Sequence, residues 1–177
     1  MTQEFIILVN DRDEKIGTME KLEAHKQALL HRAFSIFVFN DQKQLLLQQR
    51  ASSKYHSPNL WTNTCCGHPK DERWSEEEIE SAAHRRLQEE MWISVDLTEK
   101  TKLIYKLDVG NSLIEHEYLH VFIGKCNESP HPNSQEAKAR KRVSKEDLLK
   151  DISANQSQYT KRFVMLMQKY VSSIWPS

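Results

Sequence analysis

An α+β fold is what this sequence predicts, and three observations carry it. Short apolar stretches bounded by turn residues recur both before and after one strongly periodic helical stretch. They do not alternate regularly with helices, as a parallel βαβ sheet would require. The 177 residues hold neither an internal repeat nor a linker, so residues 1–177 read as a single domain long enough to bury its own core.

The elements follow in order. Phe5 to Val9 is apolar and runs into Asn10-Asp11-Arg12-Asp13, a strand and a tight turn, with Ile16-Gly17-Thr18 returning as its partner. Ala33 to Phe39 and Gln44 to Gln49 are β-rich and separated by Asn40-Asp41-Gln42-Lys43, which predicts a hairpin. Between Ala51 and Pro69 the composition turns to Ser, Pro, Asn, Thr, Cys and Gly, predicting a long ordered loop of the kind that carries function. Ser75 with Glu78 has capping-box spacing, and Ile79, Ala82, Ala83, Arg86, Leu87 and Met91 then recur at helical period. Lys102 to Val109 and Glu117 to Cys126 are predicted strands on either side of Gly110-Asn111. Ser144 with Asp147 opens a short helix, and Thr160 to Ile174 reads as an amphipathic C-terminal one.

Composition narrows the function classes. With 25 basic and 25 acidic residues, no global field recruits nucleic acid or an anionic membrane, so any anion site is local. The run Lys138, Arg140, Lys141, Arg142, Lys145 reads as a solvated face, since no stacking aromatics are interleaved with it. Three cysteines, two adjacent, make no disulfide framework and indicate a reducing compartment. The first residues lack a basic segment and a long apolar run, so the expectation is a cytoplasmic protein without a membrane span, monomeric or weakly dimeric.

Two segments concentrate the chemistry: Cys66-Gly67-His68 and Glu115-His116-Glu117. Glu115 and Glu117 are two apart on a predicted strand, so both carboxylates leave one face while His116 leaves the other. Both can reach one divalent ion, with His25, His31 and His68 as available imidazoles. Exposed glutamates and surface histidines would look the same taken singly. Cys65 and Cys66 point oppositely if extended, so at most one faces a site, and Gly67 permits a close backbone approach or positive φ. Adjacent carboxylates on the central helix are ordinarily solvated; of Glu89 and Glu90, Glu90 is the candidate ligand of a diphosphate-bound Mg²⁺.

Arg85-Arg86-Leu87-Gln88-Glu89-Glu90-Met91-Trp92-Ile93 resembles the core of a Nudix box. Asp71 and Trp92 stand where the box has glycines, its outlying Glu falls on Glu77, and Arg86 replaces its first core Glu. Trp61-Thr62-Asn63-Thr64-Cys65-Cys66-Gly67-His68-Pro69 is similar to the catalytic-cysteine segment of type 1 isopentenyl-diphosphate Δ-isomerases, and Glu115-His116-Glu117 to their Glu-x-Glu segment. Glu20 to His25, His31 to Ser35 and Arg50 to Lys54 supply three more blocks in the expected order, and the resemblance runs from about Phe5 to about Cys126.

That resemblance implies a Nudix-like mixed β-sheet sandwiched between helices, and conversion of isopentenyl diphosphate to dimethylallyl diphosphate. It implies Cys66 as the catalytic thiol, Glu117 with Tyr105 as the acid/base group on the opposite face of the alkene, and His25, His31, His68, Glu115 and Glu117 as ligands of a divalent metal, Mn²⁺, Zn²⁺ or Mg²⁺. Lys21, Arg50, Lys54 and Arg86 would hold the diphosphate, and Glu90 its Mg²⁺. Thr160-Lys161-Arg162-Phe163 stands where the family carries Thr-Pro-Trp-Phe, whose ring covers a carbocation. An arginine there raises the barrier to a neighbouring cation, which leaves Tyr159, Phe163 or Trp175 to supply the ring, or a weak activity, with Arg162 facing solvent. Two other readings compete: a Nudix hydrolase, disfavoured by Arg86 and Cys66, and a metal-stabilised binding domain without turnover.

Overall fold

The computed structural model describes residues 4–54, 56–72, 75–128 and 130–176. The predicted first pair is present as β1 (Phe5–Val9) and β2 (Lys15–Glu20), antiparallel, with Ile7 opposite Thr18. Asn10 closes the turn by accepting through Oδ1 from the backbone N–H of Arg12 and Glu14, at 2.9 and 3.0 Å. A short helix, α1 (Lys21–Lys26), follows where none was predicted, because six residues are too few for periodicity to register. The Glu20 side chain caps it by accepting from the backbone of Leu22 and Glu23.

β3 (His31–Phe39) and β4 (Leu45–Arg50) make the predicted hairpin, joined at Phe39 opposite Leu45. Past that point they diverge. β5 (Trp61–Thr62) pairs with β4 and β6 (Cys65–Gly67) with β3, so the predicted loop over 51–69 is in part sheet. β7 (Asp71–Glu72) and β8 (Ser75–Glu76) form a two-residue ladder. That ladder corrects the predicted capping box: Ser75 is held opposite Glu72, and Glu78 occupies the N-cap of α2 (Ile79–Met91) without a side-chain cap bond.

β9 (Leu97–Gly110) and β10 (Leu113–Lys125) are longer than their apolar cores predicted. β10 also lies parallel to β3, from Glu117 opposite His31 to Lys125 opposite Phe39, which makes the sheet mixed. β11 (Ala137–Val143) pairs with β4, so the basic run read as a solvated face is an edge strand instead. Lysine and arginine suit such an edge because their heads reach water while their stems cover apolar surface. Lys141 Nζ lies 4.5 Å from the centroid of the Trp61 ring. Ser144 caps α3 (Lys145–Asn155) and Thr160 caps α4 (Lys161–Ile174), both as predicted.

The strand period of β3 sorts the core. Ala33, Phe37 and Phe39 pack with α3 and α4, whereas Phe34, Ile36 and Val38 pack on α2 through Ala82, Ala83, Leu87 and Met91. The sheet is therefore sandwiched between helices, as an α+β fold of the predicted kind. Among the described residues no helix is long and apolar enough to cross a membrane.

Candidate active site

Cross-strand register builds the centre of the site. Glu117 lies opposite Tyr105 on β9 and opposite His31 on β3, and Glu115 shares its face. The Tyr105 hydroxyl stands 2.6 Å from Glu117 Oε2 and 3.0 Å from Glu115 Oε2, so its one proton serves either carboxylate. Burial, followed by those two carboxylates, pushes the Tyr105 phenol well above its ordinary pKa and keeps it a donor. His116 leaves the other face and sets Nδ1 2.9 Å from the Ala28 carbonyl.

Four of the five predicted metal ligands converge. One ligand atom from each of His25, His31, His68 and Glu117 lies within 4.8 Å of the others. His25 Nδ1 is 2.7 Å from the Lys21 carbonyl and His31 Nδ1 2.8 Å from that of Leu29. A proton on each Nδ1 leaves both Nε2 lone pairs free for an ion. His31 Nε2 and both ring nitrogens of His68 are buried and have no hydrogen-bond partner. Burial, and then the neighbouring His68, pushes His31 down to about 3; burial lowers His68 as well, so both rings are neutral at pH 7. Burial opposes ionisation of Glu117, but its contact with His68 and the Arg162 charge hold the carboxyl below the usual range. Neutral imidazoles beside a carboxylate fit a borderline divalent cation. Glu115 lies outside that group, with Oε1 3.6 Å from Arg162 Nη1 and 3.9 Å from His56 Nε2, and burial raises its pKa.

A cavity opens beside this centre, lined by Cys66, His25, His68, Glu115 and all of Lys21, Arg50, Lys54, Arg86 and Glu90. Cys65 is fully buried against α2, where burial drives its thiol far above the ordinary range; Cys66, on the opposite face of β6, is the thiol that meets the cavity. Gly67 serves close approach rather than positive φ: a Cβ there would meet Phe34 Cζ at 3.0 Å and Arg86 Cγ at 3.2 Å. The cations are charge-compensated, Lys21 by Glu4 at 3.0 Å, Lys54 by Glu136, and Arg86 by Glu90 and by Glu136 at 3.3 Å. Burial opposes it, yet Lys21 brings the Glu4 carboxyl down to about 2. Glu90 also accepts from Gln48 Nε2 at 2.7 Å. Of the box residues, Glu77 pairs with Arg85 at 2.6 Å, and Trp92 ends α2 in the left-handed conformation at φ 56°.

Sequence reasoning missed Glu4, Gln48, His56 and Glu136, all cavity residues. Only Gln48 left a signal, as a polar break after Leu45-Leu46-Leu47. Arg162 requires correction: it does not face solvent but is 6% exposed and lines the cavity, with Nη2 donating to Cys66 Sγ at 2.8 Å. Tyr159, Phe163 and Trp175 do not line it either. They pack in the core on α4 and α3, with Trp175 Nε1 donating to the Lys43 carbonyl at 3.0 Å and the Tyr159 hydroxyl bonded to Asp151. The reason is the phase of α4, whose Phe163, Leu166 and Met167 take the core and turn Arg162 toward β6.

Comparison with known proteins agrees with this architecture. The NUDIX domain family model matches residues 29–163. The chain is 44% identical over 165 residues to a protein of Serratia proteamaculans named isopentenyl-diphosphate Delta-isomerase, covering 93% of this chain and 90% of that one. It is 48% identical over 141 residues to isopentenyl-diphosphate Delta-isomerase 2 of Photorhabdus laumondii, covering 80% and 77%. The crystal structure of DR0079 from Deinococcus radiodurans superposes with a TM-score of 0.75 at 20% identity, over 94% of this chain and 98% of that one, a likeness of fold. With a NUDIX domain over most of its length and such relatives across nearly all of it, the chain belongs to the isopentenyl-diphosphate Delta-isomerase family.

Proposed function

We propose that the protein isomerises isopentenyl diphosphate to dimethylallyl diphosphate. The observation that carries the reading is one cavity in which Cys66 meets Lys21, Arg50, Lys54 and Arg86, with the Tyr105–Glu115–Glu117 cluster against its floor. Moving the double bond inward needs one proton added to the terminal carbon and one removed from the neighbouring allylic carbon, so two groups are required. Cys66 is one of them, and Glu117 with Tyr105 the other, their proton held between the phenol and the carboxylates. Lys21, Arg50, Lys54 and Arg86 bind the diphosphate from four separate segments, as charge-assisted contacts in a low-dielectric cleft. A divalent cation at His25, His31, His68 and Glu117, and Mg²⁺ near Glu90 on the diphosphate, would supply positive charge that orients the carboxylate and neutralises the anion. The three free thiols suit a cytoplasmic setting.

The test is incubation with isopentenyl diphosphate and Mg²⁺ in D₂O, followed by NMR. Wild type should form dimethylallyl diphosphate with deuterium incorporated, and Cys66→Ala and Glu117→Gln should lose at least about a hundredfold in rate. Absence of both isomer and exchange, or release of inorganic phosphate instead, sinks the proposal. Full rate in Cys66→Ala with loss in Cys65→Ala assigns the wrong thiol.

A further inference from the structure

The cavity has no apolar wall. Apart from Cys66 and Gly67, each residue lining it carries a charge, an imidazole or an amide. An unsubstituted five-carbon alkenyl tail gains little from such a wall, and a guanidinium beside it repels the cation that protonation creates. Arg162 is that guanidinium. Its Nη2 bonds Cys66 Sγ at 2.8 Å and its Nη1 lies 3.6 Å from Glu115, while its Nε is buried with no hydrogen-bond partner. Arg50, 9% exposed on the same cavity, repeats the pattern: Nη2 donates to the His56 carbonyl at 3.1 Å, and Nε is buried without a partner. Burial, and then the charges of Arg50 and Arg162, keep His56 neutral, which places that ring within the field of both. Two buried N–H donors left unmade in one cavity are costly, and an acceptor oxygen is what would complete them.

We propose that Arg162, with Arg50, makes the cavity selective for a short alkenyl diphosphate whose branch carries an acceptor oxygen, over one with a plain hydrocarbon branch. The inference rests on the diphosphate isomerase reading and leaves its chemistry unchanged: one proton enters, one leaves, and the oxygen is recognised rather than transferred. Lys21, Lys54 and Arg86 remain for the diphosphate. A site built to hydrogen-bond a substrate hydroxyl discriminates strongly against the analogue that lacks it, because its own donors are then stranded.

Calorimetric titration, with Mg²⁺ present, compares isopentenyl diphosphate with the analogue whose methyl branch is replaced by hydroxymethyl. Wild type should prefer the hydroxymethyl compound by about tenfold or more. Arg162→Gln and Arg162→Trp should abolish that preference, and Arg162→Trp should raise kcat/KM on isopentenyl diphosphate. The glutamine variant carries the test if the tryptophan variant does not fold. Equal binding by wild type, or a preference that survives in Arg162→Gln, overturns the selectivity. Absence of deuterium exchange from both compounds, in wild type and in Arg162→Trp, overturns instead the isomerase reading beneath it.

Discussion

Arg162 Nη2 donates to Cys66 Sγ across 2.8 Å, tying the first turn of α4 to β6. The same guanidinium stands 3.6 Å from the buried Glu115. Arg162→Ala therefore leaves a carboxylate in the protein interior without its counter-charge, at a cost of about 3–5 kcal/mol. Urea unfolding of Arg162→Ala, Glu115→Ala and the double variant measures it, and the two single effects should fail to add by about 1–3 kcal/mol. Simple additivity would mean that the pair does not interact.

The ligand geometry separates two glutamates that the sequence treats alike. Glu117 contributes to the four-atom group and Glu115 does not. In Zn²⁺ and Mn²⁺ titrations, Glu117→Gln and His31→Gln should weaken the metal by more than about tenfold, and Glu115→Gln by less than about threefold. Equal losses at Glu115 and Glu117 would show that both carboxylates take the ion.

Metal-free protein should lose stability as pH falls from about 6.5 toward 4.5. His31 sits at about 3 in the folded chain against 6.5 unfolded, and His56 and His68 are lowered too. Below 6.5 the unfolded state thus binds more protons at these rings, and the stability they contribute above that pH is lost as pH falls toward the folded values. Glu115, raised by burial, opposes them with at most one proton. The net slope should be about 1.4 kcal/mol per pH unit for each uncompensated histidine. Urea midpoints across this window, for wild type and His31→Gln, test it: the variant should show the shallower slope, and bound Zn²⁺ should move the transition to lower pH. A flat wild-type profile contradicts the neutral-imidazole assignment.

Trp92 holds φ 56° at the end of α2 while 68% exposed. A bulky side chain is strained there and buries little, so Trp92→Gly should stabilise the fold by about 1 kcal/mol, or raise Tm by about 2–4 °C. A lower Tm in a thermal melt would show that the indole makes contacts worth more than the backbone relief.

What was legible in the sequence follows physical range. The alternation of β3, the helical period of α2 and α4, and the caps Ser144 and Thr160 are set by neighbours within a few residues, and each predicted element is found. α1 and β11 were not legible, the first too short for a period and the second stabilised only by its pairing with β4. Likewise Ser75 followed a ladder to Glu72 rather than its local capping pattern.

By itself the sequence determined the fold class, the shared face of Glu115 and Glu117, and a motif set in which Cys66, His68 and the basic residues of four segments stand in order. These depend on backbone period and on residue type at fixed spacing. Only the tertiary structure decided that Glu115 stands apart from the four-atom group and that Arg162 turns inward onto Cys66. Both outcomes depend on how the core rotates α4 against the sheet, because Phe163 and Leu166 must bury their surface before the direction of Arg162 is defined.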